Sequence, residues 1–164
     1  MILLSNKKGG KMSIIETKGN ILESDCKYIV HQCNCKTVGD GAGLAFQINE
    51  KFPYANTYKV ENKREPGTID IMGNGKDKRF IINAYAQKYP GRPTHYETKE
   101  MRLDWFLKCL RKIALIDDLG SVAFPYGIGC GLAGGNWESY INLIKRFEKF
   151  VNKKGCKVFI VKFN

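Results

Sequence analysis

Two glycine-rich segments hold the residue types best suited to chemistry. The first is Asn34-Cys35-Lys36-Thr37-Val38-Gly39-Asp40-Gly41-Ala42-Gly43. The second is Pro125-Tyr126-Gly127-Ile128-Gly129-Cys130-Gly131-Leu132-Ala133-Gly134-Gly135. Each follows an apolar, strand-like run and precedes a helical pattern. Glycine lets the backbone approach a ligand closely, and N–H groups at a helix N-terminus form an anion site. One such loop is commonly a mere turn, whereas two suit a diphosphate held from both sides. Neither segment matches Gly-x-x-x-x-Gly-Lys-Ser/Thr, which excludes a P-loop, and a Gly-x-Gly-x-x-Gly dinucleotide pattern is not cleanly met.

Two titratable residues stand beside the first segment. His31 precedes it, and imidazole is the natural proton shuttle near neutral pH; a histidine inside an apolar strand with one satisfied hydrogen bond fits the same pattern. Asp40 lies within the loop, where it could position water or act as a general base, although aspartate is also ordinary turn chemistry. The six cysteines form no metal signature. Cys33 and Cys35 are one residue apart on a strand-like run and should point the same way, while zinc favours pairs with two or more intervening residues. Cys26, Cys109, Cys130 and Cys156 are scattered and only two histidines are present, so no metal is expected and the thiols should be reduced.

The elements that must position these groups alternate in type. Strands are expected at Ser13–Thr17, Tyr28–Cys33, Ser121–Pro125 and Cys156–Phe163, and a hairpin at Thr68–Met72 and Arg79–Ala84 turning through Gly73-Asn74-Gly75. Helices are expected from Leu44 to Phe52, stopped by Pro53; from Thr98 to Asp118, ended by Gly120; and from an Asn136 cap to Asn152. Strands alternating with helices predict an α/β fold in three layers, α/β/α, and the early hairpin requires a mixed sheet. In such a sheet ligands bind at the carboxyl ends of the strands, where both glycine loops fall.

At 164 residues one domain is expected over 13–164, preceded by a disordered arm over 1–12. That arm is basic and lacks the apolar region of a signal peptide, and no apolar run approaches the roughly 20 residues of a membrane span. With 27 Lys and Arg against 16 Asp and Glu, the net charge of +11 favours anionic partners, although the charges are spread along the chain.

Three blocks then resemble a known family: Lys18-Gly19-Asn20-Ile21-Leu22, His31-Gln32-Cys33-Asn34-Cys35, and Gly41-Ala42-Gly43-Leu44-Ala45-Phe46-Gln47-Ile48 with Lys51-Phe52-Pro53. They resemble the macrodomain family, nearest the branch of ADP-ribose-1″-phosphate phosphatases. The second loop with Asn136-Trp137-Glu138 is similar to the terminal ADP-ribose protein glycohydrolase branch. The resemblance spans Ser13 to Phe163 and implies a macrodomain-like α/β/α fold that binds ADP-ribose or a derivative and hydrolyses the terminal phosphate of ADP-ribose-1″-phosphate. The alternatives are an ADP-ribosyl ester hydrolase, acting as deacylase or de-ADP-ribosylase, and a non-catalytic reader.

By that resemblance Asn20 and its neighbour Ile21 lie at the adenine, and Asn34 approaches the distal ribose. Gly41, Ala42 and Gly43 form the first diphosphate loop. Pro125, Tyr126, Gly127, Ile128, Gly129, Cys130, Gly131 and Leu132 form the second. His31 takes the place of the histidine implicated in the phosphatase branch, with Asp40 beside it. Tyr126 and Phe163 are the aromatic candidates for packing on adenine. The glycohydrolase branch carries a catalytic aspartate where this chain has Ala133, and its lysine has no secure counterpart near Gln87-Lys88. No cofactor is implied. The expected partners are ADP-ribose or a derivative, with ADP-ribosylated protein or nucleic acid as candidate macromolecules and no membrane. The expected state is a monomer in the cytoplasm or nucleus.

Overall fold

The computed structural model describes residues 13–60 and 63–164; the arm expected over 1–12 lies outside the described residues. Six strands form one sheet: β1 (Ile15–Lys18), β2 (Tyr28–Asn34), β3 (Ile69–Met72), β4 (Phe80–Gln87), β5 (Ser121–Pro125) and β6 (Lys157–Lys162). Their order is β1-β6-β5-β2-β4-β3. All neighbours are parallel except β3 and β4, the antiparallel hairpin that the sequence requires. Three helices cover it: α1 (Gly43–Lys51), α2 (Lys99–Ala114) and α3 (Trp137–Asn152).

Strand alternation assigns each face its helices. Tyr28, Val30, Ile82, Ala84, Val122, Phe124, Val158 and Ile160 join the α2 and α3 stripes in one core. Ile29, Ile81, Ala123 and Val161 point to the other face and meet Ile48 of α1 and Ala55. The central strands are therefore apolar on both sides, as buried parallel strands must be. In α3, Tyr140, Ile144, Phe147 and Val151 follow a three-and-four spacing, and Asn136 caps the helix by accepting from Ser139 N–H at 3.2 Å.

Helix α2 starts as expected, with Thr98 Oγ1 accepting from Met101 N–H at 3.2 Å, but it ends at Ala114 and not at Asp118. Leu115 and Ile116 N–H groups reach back three residues, tightening the last turn, and Asp118 adopts a left-handed φ of 57°. The Lys154 ammonium donates to the Ala114 carbonyl at 2.7 Å and satisfies one helix-end acceptor.

Candidate functional site

Strands β2 and β5 are neighbours, yet the chain leaves β2 toward β4 and leaves β5 toward β6. This reversal opens a crevice at their carboxyl ends, the topological switch point of an open α/β sheet. The two glycine loops flank it and enclose a cavity of about 440 Å³. Among the described residues its wall contains no lysine or arginine despite the net charge of +11. An anion held here would be met by backbone dipoles. Ala42 gives α1 no side-chain cap, so the N–H groups of the helix's first turn remain for a ligand or water.

Each loop has its own bracing. In the first, Asn34 Oδ1 accepts from the N–H groups of Lys36 at 3.0 Å and Thr37 at 2.8 Å. That commits the side-chain oxygen to the turn, and the NH2 is the group left to meet a ligand. Tyr58 Oη accepts from Asn34 N–H at 2.9 Å, while Arg64 lies 5.1 Å from the Tyr58 ring centroid and donates to Thr37 O at 2.9 Å. The second loop folds as successive tight turns, with Ile128 N–H on Pro125 O at 3.1 Å, Cys130 N–H on Gly127 O at 2.8 Å and Gly134 N–H on Gly131 O at 3.0 Å. Leu132 reaches from it toward α1; a Cβ at Gly43 would sit 3.5 Å from Leu132 Cδ1.

A buried ion pair fixes the third wall. Arg102 (2% exposed) donates from Nε to Glu97 Oε2 at 2.7 Å, from Nη1 to Gly91 O at 2.8 Å and Ala133 O at 3.1 Å, and from Nη2 to Tyr89 O at 3.1 Å. Glu97 in turn accepts from Lys88 and Tyr89 N–H, both at 3.1 Å. One guanidinium thus ties the start of α2 to the segment after β4 and to the second loop. Gly91 and Ala133 both line the cavity.

Of the residues singled out in the sequence, the fold gathers His31, Asn34, Asp40, Gly41, Ala42, Gly43, Pro125, Tyr126, Gly127, Ile128, Gly129, Gly131 and Leu132 around this one cavity. Asn20, Ile21 and Cys130 are not in its wall. Asn20 instead caps a short 3-10 turn, accepting from Leu22 N–H at 3.0 Å, and Ile21 is buried in the core on the α1 face. Cys130 turns its Sγ to Ile128 O at 3.3 Å, and burial raises its thiol to about 11, making it a poor nucleophile. Phe163 is exposed and also outside the wall.

His31 is nearly enclosed, at 2% exposure. Asn83 Nδ2 donates to Ala55 O at 2.8 Å, which turns Asn83 Oδ1 toward His31 Nε2 at 2.6 Å. The amide oxygen can only accept, so His31 is the neutral Nε2–H tautomer with its lone pair on Nδ1. Burial pushes its pKa down to about 4, opposed by the Asn83 bond. At neutral pH only about one ring in a thousand is protonated, so His31 can accept a hydrogen bond but is a poor proton donor. Asp40 is the only acid among the described residues of the cavity wall; its carboxylate is more than half exposed and lies 3.3 Å from Lys59 Nζ.

No pattern in the sequence assigns Glu97, Arg102, Pro90, Gly91 or Tyr58 to the site. For Arg102 a signal existed. It shares one helical stripe with Phe106, Cys109, Leu110 and Ile113, and a charge on a buried stripe demands a partner.

The order of strands, the helices on both faces and the crevice at β2 and β5 together define a macrodomain fold. Solved macrodomains superimpose on it. That of Mycobacterium tuberculosis DarG aligns over 91% of this chain and 96% of its own, with 21% identity and a TM-score of 0.65. The Thermus aquaticus DarG macrodomain covers 90% and 97% at 24% identity and 0.62. A Trypanosoma brucei macrodomain in complex with ADP-ribose covers 93% of this chain and 64% of its own at 16% identity and 0.68. No family model matches the sequence, and no curated protein matches it.

Proposed function

We propose that the cavity binds ADP-ribose or a derivative of it, with the diphosphate between the two loops. The observation that carries this reading is the pairing of an uncapped α1 N-terminus with a second glycine loop across a switch-point crevice whose wall, among the described residues, holds no basic side chain. Such a wall suits a ligand whose diphosphate sits at its middle, where the backbone N–H groups of the two loops meet it. Superimposable macrodomains, one of them in complex with ADP-ribose, support the same ligand. Tyr126, 43% exposed and packed at 4.8 Å on Trp137, offers a ring at the β5 end for adenine, and Asn34 faces the distal ribose.

The reaction we assign is hydrolysis of the terminal phosphate of ADP-ribose-1″-phosphate. Asp40 directs water at the phosphorus and accepts its proton; the bond between phosphorus and the 1″ oxygen breaks, that oxygen takes up a proton from solvent, and inorganic phosphate leaves. His31 serves as a neutral element of the site floor and not as the proton donor. A reader without turnover is the second reading, favoured by the Lys59 partner that occupies Asp40.

Calorimetric titration with ADP-ribose tests the binding step. Gly131 is the position for the control variant, because it lines the cavity and a Cβ there meets nothing within 4 Å. Gly131→Glu should leave the melting temperature unchanged and abolish saturable binding through like-charge repulsion. Wild-type protein that is folded and does not bind ADP-ribose refutes the reading.

A further inference from the structure

The carboxyl edge of the sheet carries a pair of cations that the proposed reaction does not use. The parallel strands β1, β6 and β5 are neighbours in that order and end on this edge at Lys18, Lys162 and Pro125. The edge therefore reads Lys18, Lys162, Tyr126 and then the cavity, whose wall includes Pro125, Tyr126 and Gly127. Lys18 and Lys162 are partners in register, and neighbouring strands lie about 4.8 Å apart. Ile160 joins the core under α2 and α3, so Lys162, two residues on, leaves the sheet on that same face. Lys18 leaves it alongside.

Like charges in register on adjacent strands repel each other. Both lysines are exposed, and among the described residues neither is in an ion pair. Glu16 precedes Lys18 on the same face of β1, but it stands opposite Ile160, one step back from the edge. Lys162 has a contact of another kind. Its ammonium lies 4.7 Å from the centroid of the Tyr126 ring, which also packs on Trp137 at 4.8 Å. The Tyr126 N–H donates to Val161 O at 2.9 Å and holds that residue beside the end of β6. A base stacking on Tyr126 displaces the ammonium from the ring, and the sugar carrying that base is the nearest ligand group to receive it.

We propose that Lys18 and Lys162 form a subsite for a phosphomonoester on the adenosine ribose, so that the cavity takes ADP-ribose phosphorylated on its adenosine side in preference to ADP-ribose; this rests on the ADP-ribose reading above, with adenine at Tyr126. A phosphomonoester carries a charge of about −1.5 to −2 at neutral pH, which matches two ammonium groups. A free ribose hydroxyl leaves both of them unpaired. The diphosphate is not their partner, because it lies between the glycine loops, past Tyr126 from the pair. A 2′-phosphate and a 3′-phosphate share this chemistry.

Calorimetric titration at about 0.05 M and about 0.15 M salt tests this with two pairs of ligands. One is ADP-ribose against ADP-ribose 2′-phosphate, the other ADP against adenosine 3′-phosphate 5′-diphosphate. In one pair the phosphorylated ligand should bind wild-type protein roughly 10-fold tighter or more, the effect of one hydrogen bond between charged groups, and that pair identifies the hydroxyl. The gain should shrink at the higher salt. Lys18→Gln/Lys162→Gln should abolish the gain and bind ADP-ribose within about 3-fold of wild type, as expected when only the added phosphate meets the pair. Its melting temperature should not fall, because the repulsion is relieved. Lys145→Gln/Lys149→Gln, the same charge change on exposed positions of α3, should keep the gain. The proposal is overturned if neither phosphorylated ligand gains over its parent, if the Lys18→Gln/Lys162→Gln variant keeps the gain or loses ADP-ribose equally, or if the α3 variant loses the gain too. Wild-type protein that binds ADP-ribose without preference overturns the subsite alone. Folded protein that binds neither ADP-ribose nor ADP overturns the cavity reading and the subsite together.

Discussion

Arg102→Met is the substitution whose consequence the structure specifies most fully. It leaves buried Glu97, 5% exposed, without a cation and removes the guanidinium from the carbonyls of Tyr89, Gly91 and Ala133, of which Tyr89 O and Gly91 O keep only the Gln87 amide as donor, at 3.2 Å and 3.5 Å. Breaking a buried pair by removing one partner costs about 3–5 kcal/mol. For a chain of 164 residues, at about 2–4 °C per kcal/mol, the melting temperature should fall by roughly 6–20 °C. Urea denaturation of Arg102→Met, Glu97→Leu and the double variant forms a cycle that separates the pair from its surroundings. The double variant should be less destabilised than the sum of the singles by at least about 1 kcal/mol, because the orphaned carboxylate is gone. It should not regain wild-type stability, because the Ala133 carbonyl and the N–H groups of Lys88 and Tyr89 still lack partners. ADP-ribose affinity should fall in all three, since the Gly91 and Ala133 walls lose their common anchor. An Arg102→Met protein within about 1 kcal/mol of wild type, or an additive cycle, would refute the clamp.

His31 gives a signature in pH. Its folded pKa, about 4, lies below the ordinary 6.5, so between those values the unfolded chain holds a proton that the native protein does not. Stability is therefore complete above about pH 6.5 and declines toward pH 4 by roughly 1.4 kcal/mol per unit; His31→Gln, followed by chemical denaturation at several pH values, should flatten that slope. Asp40→Asn should retain ADP-ribose binding within about 3-fold and lose phosphate release from ADP-ribose-1″-phosphate by about 100-fold or more, the usual reach of a positioned base; unchanged turnover would remove Asp40 from the reaction. Tyr126→Ala should weaken ADP-ribose binding by roughly 5- to 10-fold, the worth of one aromatic face, while Phe163→Ala, outside the wall, should leave it unchanged in the same calorimetric titration.

The elements and both loops were legible because each is written in local pattern. The four-residue steps of α3, the β-branched run of β2 and the hairpin glycines depend on neighbours in sequence. What was illegible depends on neighbours in space. The direction of His31 is set by Asn83, which sits opposite it on β4, and the Asn83 amide is itself oriented by Ala55. The end of α2 at Ala114 is set partly by Lys154, forty residues on. Asn20 reads as a ligand contact by resemblance, and no local pattern shows that its side-chain oxygen also caps the turn that follows it. The joining of the segment after β4 to the start of α2 carries no motif; it rests on Glu97 and Arg102, which meet only in the fold.

The glycines of the second loop show how one residue type answers two demands that a sequence cannot tell apart. At Gly129, with φ 76°, a Cβ would run into the Tyr140 ring, and at Gly135 it would meet the Gly129 carbonyl and the same ring. These two are glycine so that the loop can lie flat on α3. Gly131 has open space where a Cβ would stand and a backbone that any residue tolerates. Among the described residues nothing requires glycine there. Gly41 falls between the two cases, since a Cβ would press on Tyr58 at 3.0 Å and Ala45 at 3.1 Å. A substitution at Gly41 therefore mixes damage to the first loop with loss of ligand, whereas one at Gly131 reads the ligand alone.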